Sequence, residues 1–542
     1  MRLLKSIPLF VPLFGAYPLV YLAAQNQGQI GFRSAAPLTL VFAFAAVVAF
    51  LLLRVIARSA TSAGVAVVSL VVMFFAYPLL SGWIDTAVPS LPAGGMEPGE
   101  TLAPPADQLR AIALAWGAVA LGIAAALARS RWTQSSRVHG TLTFASCALM
   151  AISLAPTLLH QVVELGANDN AARPGIPSRS DGASRVSRDV YFIVLDGYAR
   201  ADILGQYYHF DNHEFLDALR ARGFRIAEQS SANYNWTFLS LGSTLNLDYL
   251  PALFPHAIDP QSTDTSVLYE GIRDNATARF LRQRGYQIVH FQSTWGATAS
   301  NPHADREIKC EDQLFADEFA RAVAEASWLG AFNTKASVDL ADCHRANFRA
   351  LGRMGHAPGP KFVFAHFVLP HHPYLFDRDG NVLRSAVVSN QFEFQKKLWE
   401  ERANYVSQLQ FTSRMIIHEL DFILASSPQP PIIVLESDHG PGLAVGLTTA
   451  QQEAIRLANL GAYLLPDAPP DLIPPDITAV NQLRLVLGYY FDADLKALPN
   501  RHFMSPYDTP YNWSEVRQDK LVASWREPAV AAGSQRDTAK RE

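Results

Sequence analysis

The sequence has no basic tract of the kind that would follow a phosphate backbone. Its 45 Lys and Arg residues are outnumbered by 49 Asp and Glu residues, which gives a formal net charge of −4 and a pI near 6.4. Proteins that bind nucleic acid usually present a broad positive field. Nucleic acid is therefore not expected as a partner.

Cysteine is also scarce, with three residues in 542. Cys147 lies in an apolar stretch, whereas Cys310 and Cys343 both fall in the polar half of the chain. In an oxidising compartment the latter two could form a disulfide, and in a reducing one they would remain free thiols. A single pair of cysteines does not decide between these alternatives.

What the sequence does contain changes in character along its length. Up to about residue 160 it is rich in Ala, Leu, Val and Phe, and beyond residue 185 charged and apolar residues mix. The mean hydropathy of +0.07 averages these two regimes. A chain of 542 residues is also too long for one ordinary core. The predicted parts are a transmembrane domain at 1–165, a linker at 166–188, a soluble domain at 189–526 and a disordered tail at 527–542.

Five apolar segments are long enough, or nearly so, to cross a hydrocarbon core, which needs about 20 residues. They run over residues 6–24, 36–57, 63–84, 108–128 and 139–160. The first resembles a signal peptide because Arg2 and Lys5 precede it, but it is long for one and four further spans follow. A membrane domain of about five helices is therefore predicted.

The positive charges indicate how these helices are oriented. They flank alternate ends of the spans, at positions 2, 5, 54, 58, 129, 131 and 137. The opposite loops carry chiefly Arg33 and an acidic, Pro-rich stretch at 85–107. By the positive-inside rule the N-terminus is cytoplasmic, and an odd number of spans places everything after Leu159 outside the cytoplasm. If one span were only a buried helix, the second half would be cytoplasmic instead.

Beyond residue 188, short apolar runs rich in β-branched residues alternate with amphipathic helical stretches. This pattern is typical of a mostly parallel sheet covered by helices on both faces. The predicted fold class is therefore α/β: an α/β/α domain with a mostly parallel central sheet, after a bundle of about five transmembrane helices. Strands are predicted at 190–195, 287–291, 361–369 and 431–435, and helices at 212–222 and 391–425.

Carboxylates and imidazoles follow three of these strands. Asp196 follows the first strand, His371 and His372 follow the third, and Asp438 and His439 follow the last. Each residue alone has a simple explanation as a turn cap or a structural histidine. Ligands of such sheets, however, bind beyond the carboxyl ends of the strands. Two carboxylates and an imidazole there suit a divalent cation, so Asp196, Asp438 and His439 are predicted to hold one.

Thr237 offers a nucleophile at the point where a loop is expected to turn into a helix. Its hydroxyl would meet free backbone N–H groups and the positive end of the helix dipole. A hydroxyl and the anionic ester that it attacks could both be stabilised there. The alternative is that Thr237 only caps the helix and that Asn235-Trp236-Thr237 is a coincidental glycosylation sequon. The residues by themselves leave both open.

Taken together, these motifs resemble the alkaline phosphatase superfamily, in particular its sulfatase-like membrane branch. The resemblance covers about residues 188–510, and the membrane anchor is also similar to that of lipoteichoic acid synthases, phosphoglycerol transferases and phosphoethanolamine transferases. The motifs that carry it are Val194-Leu195-Asp196-Gly197, Thr237 with Ser240 and Ser243, His371-His372-Pro373-Tyr374 and Ser437-Asp438-His439-Gly440.

The resemblance implies roles for these residues. A metal would be held by Asp196, Thr237, Asp438 and His439, with Thr237 also acting as the nucleophile. His371 would bind the substrate phosphate as a further catalytic residue. His366, His372 and Asn235 are the candidates for further substrate contacts, and His366 or His372 could protonate the leaving alcohol.

Two features of related enzymes are missing from the sequence. No Cys/Ser-x-Pro-x-Arg motif surrounds Thr237, so sulfate-ester hydrolysis by a formylglycine is not expected. No Asp-x-x-x-His pair is present for a second metal, so one divalent metal, Zn or Mn, is predicted. The segment around His290 also offers no histidine that aligns with a further active-site residue.

These observations predict a metal-dependent transferase in the bacterial inner membrane, with its catalytic domain outside the cytoplasm. It would move a headgroup of the phosphoglycerol or phosphoethanolamine type from a membrane phospholipid donor to a glycan or lipid acceptor. The alternative is a phosphodiesterase or phosphatase that uses water. A non-catalytic module of the same fold would lack part of the site, yet all four of its metal-site residues are present. Headgroup, acceptor and oligomeric state do not follow from the sequence.

Overall fold

The chain divides into two compact units. The first contains Met1–Ala172 with Asp317–Ala336, and the second contains Arg173–Ala316 with Ser337–Glu542. Most of the predicted linker at 166–188 and all of the predicted tail at 527–542 lie outside the described residues. The computed structural model describes residues 7–25, 32–87, 106–167, 176, 187–254, 259–310, 318–332, 336–383, 402–442 and 447–526.

Apolar helices build most of the first unit. Four of them contain a segment of 19 to 21 residues that is long and apolar enough to cross a membrane, and α1 is a shorter apolar helix of 16 residues. This agrees with the predicted bundle of about five. The helices are α1 (Phe10–Gln25), α2 (Phe32–Leu53), α3 (Ala60–Ala87), α4 (Ala106–Arg129) and α5 (Ser136–Ala167).

A seven-stranded sheet, counted over the described residues, organises the second unit in the order β2-β7-β6-β1-β5-β3-β4. β1 pairs in parallel with β5 and β6, β3 pairs in parallel with β4 and β5, and β7 pairs antiparallel with β2 and β6. β8 and β9 form a separate antiparallel pair. The strands are β1 (Val190–Leu195), β2 (Arg225–Ile226), β3 (Gln287–Phe291), β4 (Arg306–Ile308), β5 (Lys361–Phe367), β6 (Ile432–Glu436), β7 (Gly461–Leu464), β8 (His502–Met504) and β9 (Ser514–Val516).

The predicted strands match β1 and β3 residue for residue, while β6 starts one residue later than predicted and β5 ends two residues earlier. The predicted helix at 212–222 is α7, and the described part of the one predicted at 391–425 is α14. The remaining helices are α6 (Ala201–Tyr208), α7 (His213–Ala221), α8 (Thr237–Asn246), α9 (Leu250–Leu253), α10 (Ser266–Arg273), α11 (Ala276–Arg282), α12 (Glu318–Glu325), α13 (Ala336–Gly352), α14 (Arg402–Ser426), α15 (Thr449–Leu457), α16 (Ala479–Phe491) and α17 (Gln518–Arg526).

Both faces of the sheet are buried. Successive side chains of a strand point to opposite faces, and those of β1 enter two separate apolar clusters. Phe192 lies in the cluster that contains Leu239 of α8, and Ile193 lies in the one that contains Leu409 of α14. Burying one such side chain contributes about 1.5–3 kcal/mol. The predicted α/β/α layering with a mostly parallel sheet is therefore confirmed.

Cys310 and Cys343 form a disulfide, with their Cα atoms 5.2 Å apart at a sequence separation of 33. This decides between the two alternatives that the sequence left open. The third cysteine, Cys147, is an exposed free thiol on α5. The disulfide agrees with an oxidising compartment for the second half of the chain.

Candidate metal centre

Two adjacent parallel strands deliver three of the predicted ligands to one place. Asp196 follows β1, and Asp438 with His439 follows β6. One oxygen of each carboxylate and one ring nitrogen of the histidine lie within 4.8 Å of one another. His439 Nε2 lies 3.2 Å from Asp438 Oδ2 and 3.8 Å from Asp196 Oδ1. The two segments are far apart in sequence, and the register of β1 on β6 brings them together.

The donor set fits a divalent cation. Asp196 Oδ1 and Asp438 Oδ2 are buried and have no hydrogen-bond partner among the described residues. A buried carboxylate oxygen without a partner is costly unless a cation is present. The Nδ1 of His439 lies 2.8 Å from Gly440 O, so Nδ1–H donates there and Nε2 is the acceptor of the ring, which in this structure faces the Arg456 Nη2 donor at 3.0 Å.

The electrostatics of the site also favour a cation. Burial, followed by the charge of Asp196, raises the pKa of Asp438 well above its usual range. Burial alone would raise the pKa of Asp196 too, but His371 and His366 outweigh it and lower the pKa below its usual range. Two carboxylates this close cannot both ionise without a positive charge between them. Burial, followed by Arg456, lowers the pKa of His439, which keeps this ring neutral as a ligand must be.

Thr237 is the first residue of α8, and Trp236 occupies the N-cap position. The alternative that Thr237 is itself the N-cap is therefore wrong. Trp236 makes no side-chain cap bond to the start of this helix, although Leu239 N donates to Trp236 O at 3.0 Å, and a helix start of this kind favours an anion. Thr237 Oγ1 lies 3.0 Å from His439 Nε2, which places the hydroxyl beside the predicted ligands. One turn later, Ser240 Oγ donates to Asp438 O at 2.7 Å and ties α8 to the loop after β6.

The three predicted histidines lie on the β5 side of the site. His366, near the end of β5, has its Nε2 3.3 Å from Asp196 Oδ2 and its Nδ1 2.8 Å from Thr298 Oγ1. The backbone N–H of His371 donates to Asp196 O, and its ring centroid lies 6.3 Å from that of His439. The ring of His372 is 4.1 Å from that of His371. His366 thus contacts a predicted ligand directly, whereas His371 and His372 are partly exposed at the rim.

Two other polar residues of interest bond to the protein itself. The amide of Asn235 donates to Ser505 O at 2.9 Å and accepts from Ser505 N at 3.1 Å. Its assignment to substrate contacts stays a prediction. His290 lies in the core, where its Nε2 is 3.0 Å from Thr298 O.

Arg456 belongs to the site, although the sequence offered no sign of it. It lies on α15, is 3% exposed, and has its Nη2 3.0 Å from His439 Nε2. Its Nε donates to Asn235 O at 2.7 Å and its Nη1 to Gly440 O at 3.0 Å. It therefore links the loop before Thr237 to the loop that carries Asp438 and His439. Burial lowers its pKa to about 10, so the guanidinium stays charged at neutral pH.

No protein-family model and no curated protein matches the chain. Among solved structures, it is similar to the zinc complex of the C-terminal periplasmic domain of EcEptC from Escherichia coli, at 11% identity and a TM-score of 0.41 over 62% of this chain and 94% of that one. It is also similar to the integral membrane lipooligosaccharide phosphoethanolamine transferase A of Neisseria meningitidis, at 12% identity and a TM-score of 0.37 over 90% of this chain and 94% of that one. A third is an alkaline phosphatase superfamily protein from Vibrio parahaemolyticus, at 11% identity and a TM-score of 0.38 over 63% of this chain and 78% of that one. At these scores the reaction has to be argued from the site itself.

Proposed function

We propose that the protein transfers a phosphate-linked headgroup from a membrane phospholipid to an extracytoplasmic glycan or lipid. The observation that carries this proposal is the position of Thr237. Its hydroxyl lies at an uncapped helix start, 3.0 Å from His439 Nε2 and beside two buried carboxylates. A nucleophile, an anion site and a cation site thus meet at one point, which is what phosphoryl transfer requires.

The reaction would proceed in two displacements at phosphorus. Thr237 Oγ1 gives up its proton to the site and attacks the phosphodiester, the new O–P bond forms, and the O–P bond to the lipid glycerol breaks. The lipid alcohol leaves with a proton from the site, and the headgroup phosphate is then held on Thr237. In the second step an acceptor hydroxyl loses its proton to the site and attacks the same phosphorus, the bond to Thr237 breaks, and Thr237 Oγ1 takes up a proton from the site.

Asp196, Asp438 and His439, with Thr237 Oγ1, are the residues that would hold one divalent metal, Zn or Mn. Such a cation would lower the pKa of the Thr237 hydroxyl and offset negative charge on the phosphate. His371, at the rim of the site, would orient or neutralise the phosphoryl oxygens. His366, whose Nε2 lies 3.3 Å from Asp196 Oδ2, or His372 would protonate the leaving alcohol. Burial lowers the pKa of His372 well below its usual value, which disfavours His372 as this acid.

The membrane half supports a lipid donor, since a phospholipid headgroup has to be met at the bilayer surface. The proposed topology has a cytoplasmic N-terminus in the bacterial inner membrane and a catalytic domain at 189–526 outside it. Reporter fusions at residue 185 would test this topology. A fusion that is active only on the cytoplasmic side would contradict it.

Mass spectrometry of Thr237 tests the nucleophile. After incubation in membranes, we expect the peptide that contains Thr237 to carry the mass of a headgroup phosphate, because the second step needs an acceptor. The Thr237→Ala variant should lose this adduct and all turnover while keeping its thermal stability. Turnover that survives in Thr237→Ala would contradict the assignment.

Hydrolysis by water is the second candidate, because the polar site does not by itself select an acceptor. Incubating purified protein with phospholipid labelled in the headgroup distinguishes the two reactions. Transfer predicts label on an added glycan or lipid acceptor. Hydrolysis predicts free labelled phosphate ester whether or not an acceptor is present.

A further inference from the structure

A short part of the later half of the chain belongs to the membrane unit. Residues 317–336, here called the docking segment, lie in the first unit, although the chain on both sides of them lies in the second. The described part of the segment consists of α12 and a 3-10 helix at Trp328–Phe332. Its residues are separated from the nearest transmembrane helix in sequence, α5, by about 150 residues, as the bounds Ala167 and Glu318 show.

One face of α12 packs on the membrane helices. Phe319 and Val323, one turn apart, are each 2% exposed. They form an apolar cluster with Leu19, Ala23 and Ala35 of α1 and α2. Residues spaced by four positions share one helix face, so this face of α12 is covered by membrane-helix side chains.

The 3-10 helix adds a specific contact through Trp328. Its indole Nε1 donates to Ala113 O of α4 at 2.8 Å, and its ring lies 6.4 Å from that of Phe74 on α3. Gly117, one turn after Ala113, lies directly against the indole, since a Cβ there would be 3.1 Å from the Trp328 ring. A residue larger than glycine at position 117 would therefore crowd the Trp328 ring.

These contacts extend from one end of the membrane helices to about their middle. They involve the late part of α1, the early part of α2, the early part of α4 up to Gly117, and Phe74 near the middle of α3. Helices that follow one another across a membrane alternate in direction, so these parts lie on the same side. The opposite ends carry Arg54, Arg58 and Arg129, the charges that the positive-inside rule places in the cytoplasm. The docking segment thus meets the bundle at its proposed outer side.

The disulfide lies at the base of this segment. Cys310 and Cys343 flank it on both sides, and their Cα atoms are 5.2 Å apart. The disulfide therefore joins the point where the chain leaves the second unit to the point where it returns, and the docking segment is part of the loop that this bond closes. A closed loop has fewer conformations to lose when it docks.

We propose that residues 317–336 are a second membrane anchor, which binds the outer ends of α1 to α4 and ties the catalytic half to the membrane independently of the linker. This attachment is tested by membrane retention and not by turnover. The segment carries the catalytic half with it because the Cys310–Cys343 bond and the backbone both join them.

Cutting the linker tests this anchor. A specific protease site is introduced between residues 177 and 186 of the full chain, and membranes with the outer face accessible are treated with the protease. We expect the released C-terminal fragment to stay in the membrane pellet. Gly117→Val, which places a branched side chain against the Trp328 ring, should shift most of that fragment to the supernatant.

Gly122→Val is the matched control. Gly122 lies on the same helix, and nothing lies within 4 Å of where its Cβ would be, so retention should equal that of the unsubstituted chain. Both variants leave the catalytic half unchanged, so its folding is not in question. Release of the fragment from the unsubstituted chain, or equal retention with Gly117→Val and Gly122→Val, would overturn the second anchor and leave the proposed reaction untouched.

Discussion

Arg456 joins two loops of the candidate metal centre through a single planar group. Its Nε and Nη1 donate to the carbonyl oxygens of Asn235 and Gly440, on different segments. A lysine has one compact ammonium and cannot reproduce this fork. The role of Arg456 is therefore to position Thr237 relative to His439.

We expect Arg456→Lys to lower the free energy of unfolding by about 2–4 kcal/mol, since hydrogen bonds to charged groups are worth about 1.5–3 kcal/mol each. Metal affinity should fall at least tenfold with it, because the ligand loops lose their common support. Thermal unfolding and metal titration measure the two effects. Arg517→Lys, at an exposed arginine paired with Asp519, is the control and should change stability by less than about 0.5 kcal/mol. Equal behaviour of the two variants would contradict this role.

Removal of the metal, together with substitution of Asp438, tests whether the site binds a metal. A ligand that binds only the folded state stabilises it by about 4 kcal/mol at a thousandfold excess over its dissociation constant. We expect a chelator to lower the melting temperature of the protein and added Zn or Mn to restore it. Asp438→Asn removes one carboxylate charge of the candidate metal centre at nearly constant shape, so the melting temperature of this variant should respond much less to either treatment. An unsubstituted protein that is insensitive to chelation would argue against a resident metal.

The loop after β6 packs closely on α15 at Gly440. A Cβ at Gly440 would approach Ile455 O to 1.9 Å and Ala458 O to 3.0 Å, and both atoms are backbone. Gly440 N also donates to Arg456 O at 2.7 Å. Only glycine allows this approach between the loop and the end of the helix.

We therefore expect Gly440→Ala to displace Asp438 and His439 and to weaken metal binding by more than tenfold, with a loss of stability of about 1–3 kcal/mol from overpacking. Gly205→Ala provides the comparison, because Gly205 lies in α6 with nothing within 4 Å of the added carbon. Alanine in a helix interior is favoured over glycine by about 1 kcal/mol, so this variant should be neutral or more stable. Metal titration and thermal unfolding of both variants measure these effects. Normal metal affinity in Gly440→Ala would contradict the expected displacement of Asp438 and His439.

How far the sequence predicts these elements depends on what each pattern encodes. The apolar runs of β1 and β3 specify buried strands, and the polar residues that follow a strand specify the sheet edge, so Asp196, Asp438 and His439 could be predicted. Arg456 could not, because an arginine in an amphipathic helix is typical of a solvated surface. Its burial arises from where α15 packs, which is a tertiary property that a local pattern does not contain.

The docking segment could not be predicted either, for a related reason. Phe319 and Val323 recur at the spacing of any amphipathic helix, and nothing in that spacing says which surface will cover them. The disulfide was one of two open alternatives, since pairing depends on the 5.2 Å separation of the two Cα atoms in the folded chain.

At the scale of the whole molecule, buried neutral histidines make stability depend on pH. Burial lowers the pKa of His290 to about 4 and that of His502 to about 4, against about 6.5 in an unfolded chain. The unfolded state then binds more protons than the folded state between these values. Stability is therefore complete above about pH 6.5 and falls as the pH drops towards 4, by about 1.4 kcal/mol per pH unit for each histidine.

We expect His502→Gln to reduce the pH dependence of the free energy of unfolding. The reduction should equal the contribution of one histidine, since glutamine does not titrate. Denaturant unfolding of the protein and the variant between pH 7 and pH 4.5 measures it. His303→Gln serves as the comparison, because it removes an exposed histidine beside Glu270 and leaves both buried histidines in place. An unaltered slope in His502→Gln would show that other groups cause the acid sensitivity.

The closeness of Cys310 and Cys343 has a practical consequence for purifying the second unit in water. Without the membrane helices, this unit would expose the apolar side chains of Phe319, Val323 and Trp328 to water, which favours aggregation. Because the two Cα atoms are only 5.2 Å apart, the docking segment between them can be shortened to a short connection, provided that Leu340 and Ala341 of α13, which lie in the core of the second unit, are kept. We expect the second unit with a shortened docking segment to stay monodisperse without detergent, and the one with the full segment to aggregate.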